Sequence, residues 1–114
     1  MPNIRLYYNS KCSKSRQALQ LLQQHNIEPE LIHYLKLPLN VQQIIDLLKK
    51  LDIPAINLLR KNEGLFSQLN LQQATEETLI ETLSQHPHLL QRPIAVNGNR
   101  AIIARPPERI KEIL

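Results

Sequence analysis

The residues NSKCSKSR, at positions 9–16, contain the single cysteine of this 114-residue chain. A structural thiol behaves as a small hydrophobe, yet Cys12 has polar and basic neighbours. It also lies just before a predicted helix, where free backbone N–H groups and the positive end of the helix dipole stabilise a thiolate. We therefore expect the pKa of Cys12 to lie below its ordinary value and the thiol to act as a nucleophile. The alternative is a loop cysteine without a role.

The pattern Cys-Ser-Lys-Ser limits the redox chemistry that is open to this thiol. Two cysteines separated by two residues can form their own disulfide, but here Ser15 occupies the second position. If the chemistry is redox, an oxidised Cys12 must be resolved by an external thiol, such as glutathione, or by a partner redox protein.

Alternating elements surround the cysteine. IRLYY (4–8) predicts a strand, SRQALQLLQQH predicts an amphipathic helix, and ELIHYL (30–35) predicts a second strand. Such a β-α-β unit has parallel strands and a right-handed crossover. The helix N-cap is expected among the polar residues that follow the first strand, namely Asn9, Ser10 and Ser13.

The middle of the chain is predicted to be helical. NVQQIIDLLKKL (40–51) has one apolar face, with Asn40 as its cap. Pro54 is expected to open a further helix, and Glu76 and Glu77, after Thr75, suit the first turn of another.

The end of the chain predicts a hairpin and a last helix. Asn97-Gly98-Asn99 joins two short apolar runs, IAV and AII, and PPERIKEIL follows as a closing helix. The order β-α-β, helices, β-β-α is that of an α/β, thioredoxin-like fold. We expect a mixed four-stranded sheet and one domain over residues 1–114, with a helical insertion at about 40–90.

The composition of the chain limits the classes of binding partner and cofactor that we expect. The net charge of +4 is modest, and the Lys and Arg residues are scattered along the chain. This pattern disfavours nucleic acid as a binding partner and favours a small anion. The lack of a long apolar run and of a disulfide pair predicts a cytoplasmic protein without a membrane partner. The histidines lack metal-ligand spacing and the two glycines form no dinucleotide loop, so we expect no metal and no bound cofactor. A monomer is expected.

The chain resembles the glutaredoxin-coupled arsenate reductases, the ArsC family, and in particular its short ArsC-like branch. Four blocks in the same order carry the resemblance: IRLYYNSKCSKSR (4–16), LLRK (58–61), QHPHLLQRPIAV (85–96) and ARPPERIKEIL (104–114). The resemblance implies a thioredoxin-like fold and reduction of arsenate to arsenite through a cysteine–arsenate intermediate. Glutathione would be a co-substrate, and glutaredoxin the protein partner.

The same resemblance assigns roles to individual residues. Cys12 would attack arsenate, and three arginines would surround the oxyanion: Arg60, Arg92 and Arg105. Guanidinium groups suit that task because each offers a permanent charge and a planar set of N–H donors. Taken singly, Arg60 could cap the end of its helix, and the other two arginines could be solvated strand ends.

Three residues are expected to support this site. Thioredoxin-like folds have a cis-proline before the strand that faces the reactive cysteine, and Pro93 matches it, which would direct Arg92 towards the thiol. Ser15 could donate a hydrogen bond to the thiolate, and Arg16 could add charge. Ser15 and Arg16 could also be ordinary residues of a first helical turn.

One position departs from the family pattern. Well-known members have a histidine four residues before the cysteine, where this chain has Tyr8. A tyrosine donates a hydrogen bond but has no positive charge near neutral pH. Two alternatives therefore stay open: an Spx-like regulator that binds RNA polymerase, and a thiol-transfer enzyme with another substrate.

Overall fold

The computed structural model describes residues 3–114. These residues divide into two compact units, one formed by residues 3–36 together with Arg92–Leu114, and the other by Leu37–Gln91. The second unit spans the residues for which the sequence predicts the helical insertion. The expectation of one domain over residues 1–114 stays a prediction.

The first unit contains a mixed four-stranded sheet. Its strands have the order β2-β1-β3-β4. β1 pairs in parallel with β2 and antiparallel with β3, and β3 pairs antiparallel with β4. The strand bounds are β1 Ile4–Tyr7, β2 Glu30–Ile32, β3 Ile94–Asn97 and β4 Arg100–Ile103. This topology confirms the predicted fold class.

Helix α1, Ser13–Gln24, packs its apolar face into the core of this unit. Ala18 and Leu22 are fully buried, together with Ile4 and Leu6 of β1. The helix ends near Asn26, whose φ of 60° is left-handed, a conformation that asparagine tolerates better than most residues.

Strand β2 is shorter than predicted. It ends at Ile32, whereas the pattern ELIHYL indicated a strand over 30–35. The chain turns after β2, because the N–H of Lys36 donates to the carbonyl of His33 at 3.0 Å. Tyr34 is 1 % exposed in this turn, so its apolar character reports burial and not a strand.

The hairpin forms where the sequence predicts it, and the closing helix differs in type. Asn97 pairs with Arg100, so Gly98 and Asn99 form the two-residue loop. Gly98 has φ +62° at the first loop position, where a type II′ turn favours glycine. Pro107–Ile113 is a 3₁₀ helix, with buried side chains at Pro107, Ile110 and Ile113.

The second unit is helical and well capped. Helix α2, Val41–Leu51, begins at a capping box in which Asn40 and Gln43 bond each other's backbone N–H groups at 2.8 and 2.9 Å. Helix α3 spans Gly64–Gln68. Helix α4, Glu76–Gln85, is capped by Thr75 and has Glu76 and Glu77 in its first turn, as predicted for these two glutamates. Short 3₁₀ turns lie at Ala55–Leu58, Leu71–Gln73 and Pro87–Leu89.

Pro54 opens only one of these short turns, and not the longer helix that the sequence indicated. The reason is that Leu59 is extended and forms an antiparallel bridge with Leu90. Among the described residues, no helix has the length and apolar character needed to cross a membrane.

Candidate active site

Cys12 is itself the N-cap of α1, with extended φ and ψ of −97° and 122°. The expectation that Asn9, Ser10 or Ser13 caps this helix is therefore wrong. Asn9 is used in its own turn, where its Oδ1 accepts from the N–H of Lys11 at 3.1 Å and its carbonyl accepts from the N–H of Cys12 at 2.9 Å. The turn places the sulfur where a capping oxygen normally lies.

The pKa of Cys12 falls from its ordinary 9.0 to about 7. Burial is the strongest influence and raises the pKa, since Cys12 is only 9 % exposed. The backbone N–H and the hydroxyl of Ser15 outweigh it as hydrogen-bond donors, together with the hydrogen bond and charge of Arg92. About half of the thiol is then thiolate at neutral pH, against a few per cent for an ordinary cysteine.

Ser15 is fully buried beneath the cysteine loop. Its hydroxyl oxygen accepts a hydrogen bond from the N–H of Asn9 at 3.4 Å. The side chain therefore connects the start of the loop to the first turn of α1 while its hydroxyl acts on the sulfur. These contacts agree with a supporting role for Ser15 in the site, which stays a prediction.

The sheet register explains why Arg92 lies beside the cysteine. Tyr7, the last residue of β1, pairs with Ile94, the first residue of β3, and Ile94 also pairs with Ile103 at the end of β4. The segment after β1, the segment before β3 and the segment after β4 therefore meet at one edge of the sheet. These three segments contain Cys12, Arg92 and Arg105.

Arg92 precedes a cis peptide bond to Pro93, as the fold resemblance predicts. Its Nε is buried and has no hydrogen-bond partner within the described residues. A buried guanidinium nitrogen without a partner is costly, and a bound anion would satisfy it. Arg92 thus lowers the pKa of Cys12 and also has a buried donor without a partner in the described part of the chain.

Arg105 supports the backbone of Arg92. Its Nη1 donates to the carbonyl oxygen of Arg92 at 3.0 Å, and the rest of the side chain is exposed. The Arg105–Pro106 peptide is also cis, which the sequence analysis did not anticipate. Pro106 and Pro107 open the last helix.

Arg16 has a different local role from the one suggested by its charge. Its Nη1 donates to the carbonyl of Ser10 at 2.8 Å and so braces the cysteine loop. It is not among the groups that shift the pKa of Cys12. A contribution of Arg16 to the site through its charge stays a prediction.

Arg60 belongs to the second unit. Its backbone N–H donates to the carbonyl of Leu89 at 2.7 Å, and its Nη1 lies 2.6 Å from Oε1 of Glu63. It follows the 3₁₀ turn that ends at Leu58 and does not cap a helix C-terminus. Its part in oxyanion binding stays a prediction. Sequence reasoning missed Glu63, although an Arg and a Glu three residues apart are a recognisable ion-pair spacing.

Tyr8, which replaces the family histidine, is half-buried against the core and meets another ring. Its ring and that of His33 are edge to face, with centroids 6.1 Å apart and an interplanar angle of 85°. His33, expected in a strand, follows the end of β2. The residue that differs from the family pattern, Tyr8, is therefore in contact with a histidine from a neighbouring segment. Spacing along the sequence did not reveal this contact.

The donor set in residues 3–114 includes no group of three or more His, Cys, Asp and Glu side chains able to hold a metal ion. The expectations of no metal and no bound cofactor stay predictions. The groups that the cysteine and the arginines offer for chemistry are a thiolate and guanidinium groups.

A mixed sheet with a cysteine at the N-terminus of α1 and a cis-proline before β3 defines a thioredoxin-like protein. A profile of the ArsC family matches residues 7–113, and the chain belongs to that family.

Individual relatives agree with this assignment. The uncharacterized protein YfgD of Escherichia coli is 41 % identical over 114 residues, covering 97 % of this chain and 96 % of that protein. An arsenate reductase of Haemophilus influenzae is 38 % identical over 112 residues, covering 96 % and 97 %. The solved structure of an arsenate reductase from Vibrio cholerae superimposes with a TM-score of 0.96 at 36 % identity, covering 99 % and 98 %.

Proposed function

We propose that this protein is an arsenate reductase that converts arsenate to arsenite, with glutathione and glutaredoxin as electron donors. The observation that carries the proposal is the pKa of Cys12, which Ser15 and Arg92 lower to about 7 at the N-terminus of α1. Membership of the ArsC family, which includes relatives named arsenate reductases, supports the choice of substrate.

The first step is attack of the Cys12 thiolate on arsenic(V). A sulfur–arsenic bond forms, and one arsenate oxygen leaves as water after protonation. The arsenate is an anion at neutral pH and would be repelled by a thiolate, so the guanidinium groups must hold it in place. In this proposal Arg92 acts on both the thiolate and the arsenate. Its Nε, which has no hydrogen-bond partner among residues 3–114, stabilises charge on the oxygens as sulfur adds.

The next steps transfer two electrons from thiols to arsenic. The thiol of glutathione forms a second sulfur–arsenic bond and releases a second water. A glutaredoxin thiolate then attacks the glutathione sulfur, a mixed disulfide forms, and the electron pair of the broken bond stays on arsenic as arsenic(III). Water then cleaves the remaining bond and releases arsenite and Cys12. The sum is arsenate plus two thiols giving arsenite, a disulfide and water.

The other assigned residues complete this proposal. Ser15 keeps the leaving thiolate stable at the end of the cycle, and Arg105 holds the backbone of Arg92. The family resemblance adds Arg60 as a further oxyanion ligand. Because the electrons come from external thiols, the proposed cycle needs no resident cofactor. The proposal also includes a monomer in the reducing cytoplasm.

The test is arsenite release measured with purified glutathione, glutaredoxin and a system that keeps glutathione reduced. We expect the wild type to release arsenite only when both donors are present, and Cys12→Ser to release none. Ser13→Ala is the matched control, because Ser13 is an exposed neighbour of the cysteine and should keep full activity.

Equal rates for the wild type and Cys12→Ser would contradict the proposal. Exchange of Cys12 with a glutathione mixed disulfide, without any arsenite, would instead favour the thiol-transfer alternative. Tyr8 at the position of the family histidine is the observation that keeps this alternative in view.

A further inference from the structure

Asn9 makes three hydrogen bonds within the segment that presents the cysteine. Its side-chain Oδ1 accepts from the N–H of Lys11 at 3.1 Å, and its carbonyl accepts from the N–H of Cys12 at 2.9 Å. Its own N–H donates to Oγ of Ser15 at 3.4 Å. The side chain and both backbone groups of Asn9 therefore act on the surroundings of one thiol.

The side chain of Asn9 closes the turn. An asparagine oxygen that accepts from the N–H two residues further on forms an Asx turn, which imitates a backbone turn. The bond from the N–H of Cys12 to the carbonyl of Asn9 then completes a four-residue reversal over positions 9–12. Cys12 leaves this turn with extended φ and ψ, as the N-cap of α1 requires.

Separate contacts hold the two ends of this loop. On the strand side, the N–H of Tyr8 donates to the carbonyl of Ile32 at 3.0 Å. On the helix side, Nη1 of Arg16 donates to the carbonyl of Ser10 at 2.8 Å. Because these contacts do not involve the side chain of Asn9, a change of that side chain should alter the turn and leave the sheet and the helix folded.

Ser15 connects Asn9 to the sulfur. A serine hydroxyl has one proton to donate and lone pairs to accept with. Since Oγ of Ser15 accepts from the N–H of Asn9, a lone pair faces Asn9 and the proton is available to the sulfur. Ser15 is fully buried, which excludes water as a competing partner.

We propose that Asn9 is a positioning residue for the Cys12 thiolate, because its side chain holds the turn that places the sulfur at the N-cap and its N–H holds the Ser15 hydroxyl. The inference rests on the proposed function in taking Cys12 as the nucleophile. Asn9 acts through Cys12 and Ser15, and is not a catalytic residue.

The groups that act on the sulfur agree with this role. The backbone N–H and the hydroxyl of Ser15 both lower the pKa of Cys12 against the effect of burial. Arg92 also lowers it, from the segment before β3. The neighbouring cations, Lys11, Lys14 and Arg16, are not among the groups that shift this pKa. The turn at Asn9 thus controls the Ser15 donors, while Arg92 is supplied independently.

The test is the pH profile of iodoacetamide alkylation in Asn9→Ala, which removes the acceptor of the Asx turn. We expect the midpoint of the profile to rise by about half a pH unit, and the rate at pH 7 to fall about two- to threefold, because a displaced sulfur gains less from Ser15. The plateau at high pH should stay close to that of the wild type. A change in the accessibility of the sulfur alone would lower the plateau and leave the midpoint in place.

Two further variants complete the test. In Asn9→Ser the hydroxyl can accept the same N–H in a weaker turn of the same kind, so its midpoint should lie between those of the wild type and Asn9→Ala. Ser10→Ala is the matched control, because it removes an exposed hydroxyl from the same loop and keeps the carbonyl that accepts from Arg16. Its profile should equal that of the wild type.

An unshifted midpoint in Asn9→Ala, or an equal shift in Ser10→Ala, would overturn the role of Asn9 and leave the proposed function standing. If Asn9→Ala does not fold, Asn9→Ser decides, and an unshifted midpoint there would also overturn this role. Failure of the wild type to release arsenite in the coupled assay, with the shift in Asn9→Ala present, would overturn the proposed function and support the role of Asn9 in activating the thiol.

Discussion

The state of Cys12 is decided by competition between burial and a small set of donors. Burial disfavours the charged thiolate, and the thiol has only 9 % of its surface exposed. Its pKa is nevertheless about 7, because Ser15 and Arg92 act on the sulfur. A nucleophile with a pKa near the pH of the cell combines a large thiolate fraction with good reactivity.

Removal of one donor should raise this pKa. In Ser15→Ala the hydroxyl is lost and burial is unchanged, so we expect the rate of iodoacetamide alkylation at pH 7 to fall about two- to fivefold. In the wild type this rate should rise about tenfold per pH unit well below pH 7 and level off above it, since only the thiolate reacts.

The control for Ser15→Ala is Ser13→Ala, which removes an exposed hydroxyl from the same helical turn. Its pH profile should match that of the wild type. An equal loss in both variants would mean that the first turn of α1 as a whole, and not the Ser15 hydroxyl, controls the thiol.

At the scale of elements, the edge of the sheet positions the site. The segments that contain Arg92 and Arg105 are held by β3 and β4, and these two strands are joined by the turn at Gly98. Residues Ile94, Ala95 and Val96 of β3 are almost fully buried, which anchors the strand beside β1. The positions of Arg92 and Arg105 thus depend on a hairpin turn that lies at the opposite end of β3 and β4.

Gly98 tests this dependence. At φ +62° an added Cβ meets no atom within 4 Å, so the cost of Gly98→Ala is one of backbone conformation alone. We expect a loss of about 1 kcal/mol in the free energy of unfolding, measured by urea denaturation.

Gly64→Ala is the natural comparison, because Gly64 also has open space around it but lies in α3 with an ordinary φ. Alanine favours a helix more than glycine does, so this change should be neutral or slightly stabilising. A similar loss in both variants would show that the turn conformation is not what makes Gly98 necessary.

At the scale of the whole chain, local signals predicted most of the fold. The Asn40 and Thr75 caps, the Asn-Gly turn and the apolar periodicity of α1 and α2 depend on neighbours a few residues away. The fold resemblance supplied the cis bond before Pro93, which no local pattern determines. The strand order β2-β1-β3-β4 was not predicted, because it depends on pairing between distant segments.

The predictions that were wrong concerned features that tertiary contacts determine. Tyr34 looked like a strand residue because buried positions in turns and strands share the same apolar residue types. The helix that follows Pro54 stops at Leu58 because Leu59 forms a bridge with Leu90, which is distant in sequence. The pairing of Tyr8 with His33 and of Arg60 with Glu63 depends on side-chain positions that the sequence does not fix.

The central claim is that Cys12 and Arg92 form an oxyanion-binding nucleophile. The most direct measurement is the rate of Cys12 alkylation at pH 7 with and without arsenate, in the wild type, Arg92→Gln and the control Arg100→Gln, whose arginine is exposed on β4. We predict that arsenate protects the thiol in the wild type and in the control, while Arg92→Gln reacts more slowly and loses the protection. Equal rates with and without arsenate in the wild type would contradict the account.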